Sequence, residues 1–402
     1  MTTAISSRQK KHIFVLLFLV PFLMGSSIDL YVPSLPAIAR FFHVPRHEVQ
    51  FTIGFYMLGY AIAQLLLGTL SDSLGRRKIF VGGGTVYTLA SLFAIFSSSI
   101  EMLIFYRFLQ GCSIGGCGVI CRAMVADCFS GLPRVKAMTF ISLSWAIGPI
   151  IGPFIGGYLQ EYFGWQANFA FFFLYALFTF VYALIVLPET HFDLKPIHLR
   201  EIAKTVWSIV IHPQFIRWGV IASLVYAALV VFNVIAPFLI QGTLHYSAIA
   251  YGHIALLLGT GYFLGNLLNF WLVHHFNTLK IILFSLITTV CISLLLLLVG
   301  LLIQPNLYIL IIPIFFLFCF CGLIYPNMMA LSVSLFSKSA GTSSAVFGFW
   351  AIGGVTIMSL IASLLGITTQ VPLAWFYLGI FLFCIILSCF KTSSGRGKKE
   401  SS

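Results

Sequence analysis

The stretch Gly68-Thr-Leu-Ser-Asp-Ser-Leu-Gly-Arg-Arg-Lys78 is a polar interruption in a mostly apolar chain, with apolar runs of membrane-spanning length on both sides. Gly75 can adopt the positive φ that a tight reversal needs, because it has no Cβ atom. The stretch ends in three consecutive cations, Arg76, Arg77 and Lys78. Short cytoplasmic loops of membrane proteins carry the excess of lysine and arginine, so these cations predict a cytoplasmic loop.

The composition is that of an integral membrane protein. Its 402 residues are 60% hydrophobic and 8% charged, whereas a soluble domain carries about 25% charged residues. The net charge of +12 is spread over segments between apolar runs and forms no single patch. This distribution fits the charge rule for membrane topology and argues against nucleic acid as a partner.

Twelve apolar runs predict twelve transmembrane helices and an all-α membrane fold. The runs cover residues 13–34, 49–70, 79–99, 102–126, 137–158, 167–187, 214–240, 250–273, 279–301, 307–330, 343–366 and 372–390. One long polar connection divides them into an N-terminal six-helix half at 1–187, a linker at 188–213 and a C-terminal six-helix half with a short basic tail at 214–402. This organisation is typical of parallel repeats with a binding site at the membrane midplane between the halves.

The distribution of cations predicts the orientation of the chain. With twelve spans, both termini lie on one side, and that side holds eighteen of the 22 lysine and arginine residues. The other side holds Arg40 and Arg46, while Arg107 and Arg122 lie within a span. We therefore expect both termini to be cytoplasmic.

Asp29 is the leading candidate for a proton carrier. It lies in the outer half of the first span, where an ionised carboxylate costs roughly 2.5–3.5 kcal/mol, so it should face a cavity or a partner. No aspartate or glutamate occurs between Glu201 and Glu400, so a carrier carboxylate must lie in the first half. Two alternatives remain: Asp29 could cap the end of its helix, or His253 could be the titrating group.

Two arginines lie in the fourth span, where an arginine is usually functional or paired. The first begins the string Arg107-Phe-Leu-Gln-Gly111. The second, Arg122, lies near the cytoplasmic end of the span. It could contact the solute or the gate, or simply extend its charged end to the membrane surface.

The segment Ser144-Trp-Ala-Ile-Gly-Pro-Ile-Ile-Gly-Pro-Phe-Ile-Gly-Gly157 combines small residues and prolines in the fifth span. Gly148, Gly152 and Gly156 recur every four residues and predict a smooth face that another helix can approach closely. Pro149 and Pro153 should bend the helix and free backbone carbonyl groups. The residues alone indicate a tight, bendable helix interface.

Polar and aromatic groups on facing spans are candidates for a solute cavity, although each aromatic taken alone fits a packing or membrane-interface role better. These candidates are Tyr31, Tyr56, Gln64, Arg122, Trp145, Asn233, Tyr262, Asn266, Tyr325, Asn327 and Trp350. The nine cysteines lie in or at the ends of apolar runs and lack the paired spacing of a metal site. We expect neither a metal nor a disulfide framework.

The 68–78 stretch resembles the signature between helices two and three of the major facilitator superfamily. The residues at 26–36, 107–127 and 145–157 are similar to those of the Bcr/CflA group of drug:proton antiporters within it. The resemblance implies twelve helices, rocking of two halves about a midplane site, location in the bacterial inner membrane, and energy from the proton gradient with no cofactor.

The same resemblance implies residue roles. Asp29 and Arg107 would take part in proton coupling. A gating cluster would consist of Asp72, Gly75, Arg76, Arg77 and Asp127, with Asp127 pairing with Arg76; a role in setting topology is compatible with this. The glycines and prolines Gly148, Pro149, Gly152, Pro153, Gly156 and Gly157 would form the antiporter motif found in exporters.

One departure from the group concerns charge. Some multidrug relatives have a second acid about two turns earlier in the first span, where this chain has Val20, Pro21 and Phe22. A single acid argues against broad export of cationic drugs and suits a neutral or anionic solute.

The function expected from the sequence is proton-coupled export of drugs or other small amphipathic solutes by a monomer in the lipid bilayer. A dedicated exporter or importer of one metabolite, such as a siderophore, remains an alternative. A non-transporting receptor or scaffold would not need the loop cluster, Arg107 and the Gly-Pro repeat together. The sequence has no pattern typical of a catalytic nucleophile, a metal site or a phosphate-binding loop, so an enzyme is not expected.

Overall fold

The computed structural model describes residues 6–192, 206–336, 340–364 and 369–389. Within these ranges the chain is helical, with no β-strand. The twelve long helices are α1 Ser7–Asp29, α2 Arg46–Leu74, α3 Arg76–Ile95, α4 Ile100–Cys128, α5 Gly131–Phe163, α6 Gln166–Val186, α7 Pro213–Pro237, α8 Ala248–Leu272, α9 Thr278–Leu302, α10 Leu307–Ser334, α11 Ala340–Leu364 and α12 Gln370–Cys389. Residues 193–205 of the linker predicted at 188–213, and the basic tail after residue 389, lie outside the described residues.

Side-chain caps fix where several helices begin. Ser6 caps α1 in a reciprocal capping box with Gln9. Ser99 and Ser247 accept hydrogen bonds from backbone N–H groups in the first turns of α4 and α8. Asn306 caps α10 in the same way. Each cap satisfies a backbone donor that the helix itself leaves without a partner.

The first span ends differently from the prediction. The apolar run suggested a helix to residue 34, but α1 stops at Asp29. A 3₁₀ turn at Val32–Ser34 and a short helix at Leu35–Phe42 follow, with Pro33 and Pro36 at their first turns, where a missing N–H is harmless. By contrast, α5 begins six residues before its predicted start and remains helical through both internal prolines.

The two halves repeat the same packing pattern. In the first half, α1 packs on α5, α2 on α4, and α3 on both α4 and α6; in the second half, α7 packs on α11, α8 on α10, and α9 on both α10 and α12. The halves meet chiefly through α2 against α11 and α5 against α8. Each helix of one half corresponds to the helix six places away in the other half, so α2 corresponds to α8 and α5 to α11. This correspondence converts the α2–α11 contact into the α8–α5 contact, as a twofold-related pair of repeats requires.

All twelve helices are long and apolar enough to cross a membrane. Large apolar side chains cover the outside of the bundle, including Leu302 at 84% exposed and Ile185 at 76% exposed. A surface this apolar is expected to contact lipid, because soluble proteins rarely expose such large apolar areas to water. The protein is therefore a multi-pass membrane protein, and the all-α, twelve-helix fold predicted from the sequence is confirmed.

Two names are used below for the ends of the bundle. The basic face is the end where α1 begins, and it carries the α2–α3 turn with Arg76, Arg77 and Lys78. The far face is the opposite end, where α1 stops at Asp29.

Candidate functional site

Asp29 lies at the last position of α1, buried at the interface between the two halves. Its side chain is 4% exposed. The amide of Asn233, on α7, donates a hydrogen bond to Asp29 Oδ1 at 2.5 Å. The carbonyl oxygen of Asn233 in turn faces the Tyr251 hydroxyl of α8 at 3.5 Å. A carboxyl group of the first half is thus bonded to an amide of the second.

Arg107 is completely buried in the first half. Its guanidinium lies between two aromatic rings, with Cζ 4.3 Å from the ring centre of Tyr31 and 4.2 Å from that of Tyr56. It donates to Gln110 Oε1 at 2.8 Å and to the backbone carbonyl of Ser27 at 3.0 Å. Because Ser27 lies two residues before Asp29, Arg107 holds the end of the helix that carries the carboxylate.

This arrangement explains two residues that the sequence suggested for a cavity. Tyr31 and Tyr56 are fully buried and supply the cation–π faces for Arg107. Such contacts contribute about 2 kcal/mol or more when they are shielded from water. In this structure both rings stabilise the buried arginine and are not part of an open surface.

Further hydrogen bonds join the halves near the far face. Gln50 of α2 donates to the carbonyl of Val234 at 2.9 Å, and Gln241 donates to the carbonyl of Pro33 at 2.8 Å. A Cβ atom on Gly157 would lie 2.6 Å from the carbonyl oxygen of Ala248, so α5 and α8 touch backbone to backbone there. These contacts close the far face around Asp29.

The glycines of α5 do what their spacing predicts. A Cβ atom on Gly148 or Gly156 would overlap the backbone of α1 at Ser26 or Leu30, and one on Gly152 would lie 3.3 Å from the backbone nitrogen of Leu30. The smooth face therefore receives α1 just where that helix carries Asp29, and Gly157 faces α8 instead.

At the basic face, Arg76 forms ion pairs with both acids that the resemblance proposed. It contacts Asp72, one turn earlier across the α2–α3 turn, and its Nε donates to Asp127 Oδ2 at the end of α4 at 3.2 Å. Gly75 has φ +95°, the left-handed region that its turn requires. Both ion pairs lie within the first half, where they join α3 to α2 and to α4.

Glu189 joins this cluster, which sequence reasoning missed. Its carboxylate accepts hydrogen bonds from the backbone N–H groups of Arg76 at 2.9 Å and Arg77 at 3.2 Å, at the start of α3. The next residue, Thr190, donates to Asp127 at 3.4 Å, and Arg77 donates to the carbonyl of Leu184 at 2.9 Å. The end of α6 is therefore fastened to the α2–α3 turn. We call Asp72, Arg76, Asp127 and Glu189 the gate cluster.

The remaining cavity candidates fall into two groups. Trp145, Tyr325, Trp350 and Arg122 are partly buried, and the Trp145 ring lies 6.5 Å from that of Tyr226 across the two halves. Gln64 also lies between the halves, against Gly348.

The second group bonds within its own half. Asn266 donates to the carbonyl of Tyr262 on its own helix, and Asn327 donates to Asn269.

His253 does not resemble a proton carrier. It is exposed, its Nδ1 contacts the carbonyl of Ile249 on its own helix at 2.9 Å, and its ring packs on Phe154 and Tyr158. The described residues contain no group of three or more metal-binding side chains.

Comparison with known proteins gives the family. The family model described as Major Facilitator Superfamily matches residues 17–356, which is most of the chain. This chain belongs to the major facilitator superfamily. It is therefore a transporter and not an enzyme.

Relatives in the superfamily include proteins named for drug resistance. A chloramphenicol resistance protein of Pseudomonas aeruginosa is 29% identical over 96% of this chain and 93% of its own length. A bicyclomycin resistance protein homolog of Haemophilus influenzae is 32% identical over 48% of this chain and 49% of its own. These names are consistent with the Bcr/CflA-like resemblance found in the sequence.

Solved structures agree in fold. A D-xylose–proton symporter superposes with a TM-score of 0.75 at 14% identity, over 94% of this chain and 97% of the other. A bacterial homolog of the human lysosomal transporter Spinster, in an inward-facing conformation, gives a TM-score of 0.71 at 14% identity over 95% and 98%. At these identities the comparison supports the fold alone.

Proposed function

We propose that this transporter exports small amphipathic solutes from the cytoplasm by exchange for protons, and that Asp29 carries the proton. The observation that carries the proposal is the buried contact between Asp29 and Asn233, which joins the two halves. Alternating access requires the halves to separate on one side and close on the other. A proton that changes an inter-half contact is therefore coupled to the motion.

The chemistry of the contact favours this role. When Asp29 is ionised, the Asn233 amide donates to a charged acceptor, and such a charge-assisted bond is about twice as strong as a neutral one. Protonation removes the charge and weakens the bond, because the neutral carboxyl group must also find an acceptor for its own proton. The protonation state of Asp29 would thus change the strength of the contact that joins the two halves.

Arg107 would hold the carboxylate in position. It reaches the Ser27 carbonyl from a fixed place between two rings, so it supports the end of α1 while lying within electrostatic range of Asp29. A buried cation near the carboxyl group stabilises its ionised form and so favours release of the proton. This assigns Arg107 a positioning and electrostatic role.

The direction and orientation rest on two features. The cation distribution supports a cytoplasmic basic face, which for a bacterial protein means the inner membrane. The Gly-Pro repeat of α5 resembles the motif of exporters, and relatives are named for resistance to chloramphenicol and bicyclomycin. Export towards the far face is consistent with both.

The gate cluster would stabilise closure of the basic face. Arg76 joins the ends of α2, α3 and α4 through its two ion pairs. The first half would therefore present a rigid surface against which the second half closes. Glu189 adds the end of α6 to that surface. Loss of the cluster would favour the state that is open to the cytoplasm.

Purified protein in proteoliposomes tests the proposal. A pH gradient is imposed, and chloramphenicol, other lipophilic drugs and iron-chelating metabolites are offered to wild type and Asp29→Asn. We expect gradient-driven transport of at least one compound by wild type, abolished in Asp29→Asn while binding survives. Equal transport with and without the gradient, unchanged in Asp29→Asn, would refute proton coupling at this residue.

A further inference from the structure

The middle of α7 presents one accessible stripe to the other half of the molecule. All residues of α7 from 221 to 237 are buried except three, which are Tyr226, Leu229 and Asn233. Their spacing of three and four residues places them on one face of the helix. Asn233 donates to the acid at the end of α1, and the ring centre of Tyr226 lies 6.5 Å from that of Trp145 on α5. The stripe is therefore turned towards the first half.

Three aromatic rings from both halves meet along this stripe. The ring centre of Tyr226 lies 6.5 Å from that of Trp145 in the first half and 5.5 Å from that of Tyr325 on α10. The buried ring of Phe347 supports Tyr325 from behind, at 6.0 Å. Trp145, Tyr226 and Tyr325 are only partly buried, so part of their surface can contact a further group. We call these three residues the aromatic clamp.

The two hydroxyl groups of the aromatic clamp differ from those of tyrosines in the core. Tyr31, Tyr87 and Tyr377 are fully buried, and their hydroxyls bond to partners at 2.9, 2.6 and 3.2 Å. The hydroxyls of Tyr226 and Tyr325 have no hydrogen-bond partner among the described residues, and neither is sealed from solvent. Because phenol groups in a protein interior normally find a partner, these two can donate to a group that enters between the halves.

A membrane-interface role does not fit the aromatic clamp. Aromatic residues of that kind lie near the ends of spans and face the headgroups. Tyr308 is an example, since it lies in the first turn of α10 and is 71% exposed. Tyr226 instead lies thirteen residues into α7, roughly 20 Å from its start, and contacts rings of both halves. Its position is that of a group facing the space between the halves.

The aromatic clamp is joined to the proposed proton site through α7. Tyr226 precedes Asn233 by seven residues, which is roughly 10 Å along the helix. Asn233 in turn bonds to Asp29 of the first half. A solute held between Trp145 and Tyr226 would bridge the same two halves as that hydrogen bond. Solute binding and the protonation of Asp29 therefore act on one interface.

We propose that the aromatic clamp binds the solute, and that the solute is a flat aromatic compound with a hydrogen-bond acceptor on its edge. The inference deepens the proposed transport function and rests on it. Aromatic rings pack on one another in offset or edge-to-face arrangements, and the gain exceeds that of the buried area alone. The hydroxyls of Tyr226 and Tyr325 donate to the acceptor, such as a carbonyl oxygen.

Two amides of similar outline test the aromatic clamp. The compound 2-naphthamide is flat and aromatic, whereas decahydronaphthalene-2-carboxamide carries the same amide on a saturated body. Equilibrium binding is measured with protein in lipid nanodiscs, without any gradient, and binding to empty nanodiscs is subtracted. We expect wild type to bind the aromatic amide about fivefold or more tightly than the saturated one, because contacts between rings favour it.

Two changes at one position separate the ring from the hydroxyl. Tyr226→Leu should bring the two affinities within about twofold of each other, because a ring face is lost. Tyr226→Phe should weaken both amides by a similar factor of about threefold or more and keep their ratio, since it removes a neutral hydrogen bond alone. Trp145→Leu should lower the ratio from the first half, and it serves if Tyr226→Leu does not fold. Tyr308→Leu is the matched control and should leave both affinities unchanged.

The aromatic clamp is refuted if wild type binds the two amides equally, if the ratio survives in both Tyr226→Leu and Trp145→Leu, or if wild type binds neither amide above empty nanodiscs. Failure of the transport proposal gives a different result. Asp29→Asn should keep the ratio, because the preference arises from the rings. A ratio without gradient-driven transport would overturn proton coupling alone, and gradient-driven transport without the ratio would overturn the clamp alone.

Discussion

Asp29 depends on a partner from the other half of the molecule, because Asn233 donates the hydrogen bond that its buried carboxylate receives at 2.5 Å. Asp29 itself was identifiable from the sequence, since it is the acid inside the first span and the second-half spans contain none. Asn233 was also among the cavity candidates. Their contact was not predictable, because 204 residues separate them and they meet only where the end of α1 and the 3₁₀ turn after it come against α7.

Removing that partner should impair coupling. We expect Asn233→Leu to reduce gradient-driven transport about tenfold or more, since a hydrogen bond to a charged group contributes roughly 1.5–3 kcal/mol. Transport in proteoliposomes is the measurement. Tyr251→Phe is the control, because its hydroxyl lies 3.5 Å from Asn233 and forms at most a weak bond. If the two variants behave alike, Asn233 does not act through Asp29.

Glu189 shows a limit of sequence reasoning at a single position. An acid just after a span looks like a solvated loop residue, and the N–H donor of Arg76 that Glu189 accepts from lies 113 positions away at the start of α3. The carboxylate binds a pair of backbone N–H groups. Every residue except proline has such a group, so the sequence does not show which of them will be bound. The position of a carboxylate at a helix N-terminus is favourable by about 0.3–1 kcal/mol when exposed.

Neutralising this acid should loosen the basic face. We expect Glu189→Gln to lower the thermal stability of the purified protein and the free energy of unfolding by about 1 kcal/mol, with higher labelling of a cysteine placed in the α2–α3 turn. Glu161→Gln, an exposed acid near the end of α5, is the control. Unchanged labelling and stability would contradict a role for Glu189 in the gate cluster.

Helices α1 and α5 pack closely beside the candidate site. The four-residue glycine spacing predicted a close approach, and the structure identifies α1 as the helix that approaches. Which helix it would be could not be read from spacing, because small residues say how near a neighbour comes and not which neighbour it is.

A methyl group on this face should push α1 away. Gly156→Ala places its Cβ atom into the carbonyl oxygen of Leu30, so we expect a loss of about 1–3 kcal/mol in stability and weaker transport. Gly82→Ala on α3 is the matched control, because nothing lies within 4 Å of its Cβ position. Thermal unfolding in detergent compares the two, and equal melting temperatures would show that the close contact is dispensable.

The molecule as a whole was predictable in outline. Twelve apolar runs and the polar 68–78 stretch indicated the helices and the family, because burial in lipid leaves a strong compositional signal. The ends of the helices were less certain, as at Asp29, where the chain turns into a 3₁₀ segment under the control of Pro33 and Pro36. Contacts between the halves, such as that of Gln50 with Val234, depend on tertiary packing and carry no such signal.

Closure of the far face rests on those contacts. Gln50→Leu combined with Gln241→Leu removes two inter-half hydrogen bonds and should shift the population towards the state open at that face. With the native cysteines replaced, a reporter cysteine at Leu360, which touches Gly54 across the halves, should react faster with an impermeant maleimide. An unchanged rate would mean that apolar packing alone holds the face closed.

The central claim is that Asp29 carries the exchanged proton, and proton release on solute binding tests it most directly. The solute found in the transport assay is added to purified protein in weakly buffered nanodiscs at neutral pH, and released protons are counted. We expect about one proton per bound solute from wild type, since coupling is reciprocal, and none from Asp29→Asn, which should still bind the solute. Equal release from both proteins would contradict the claim.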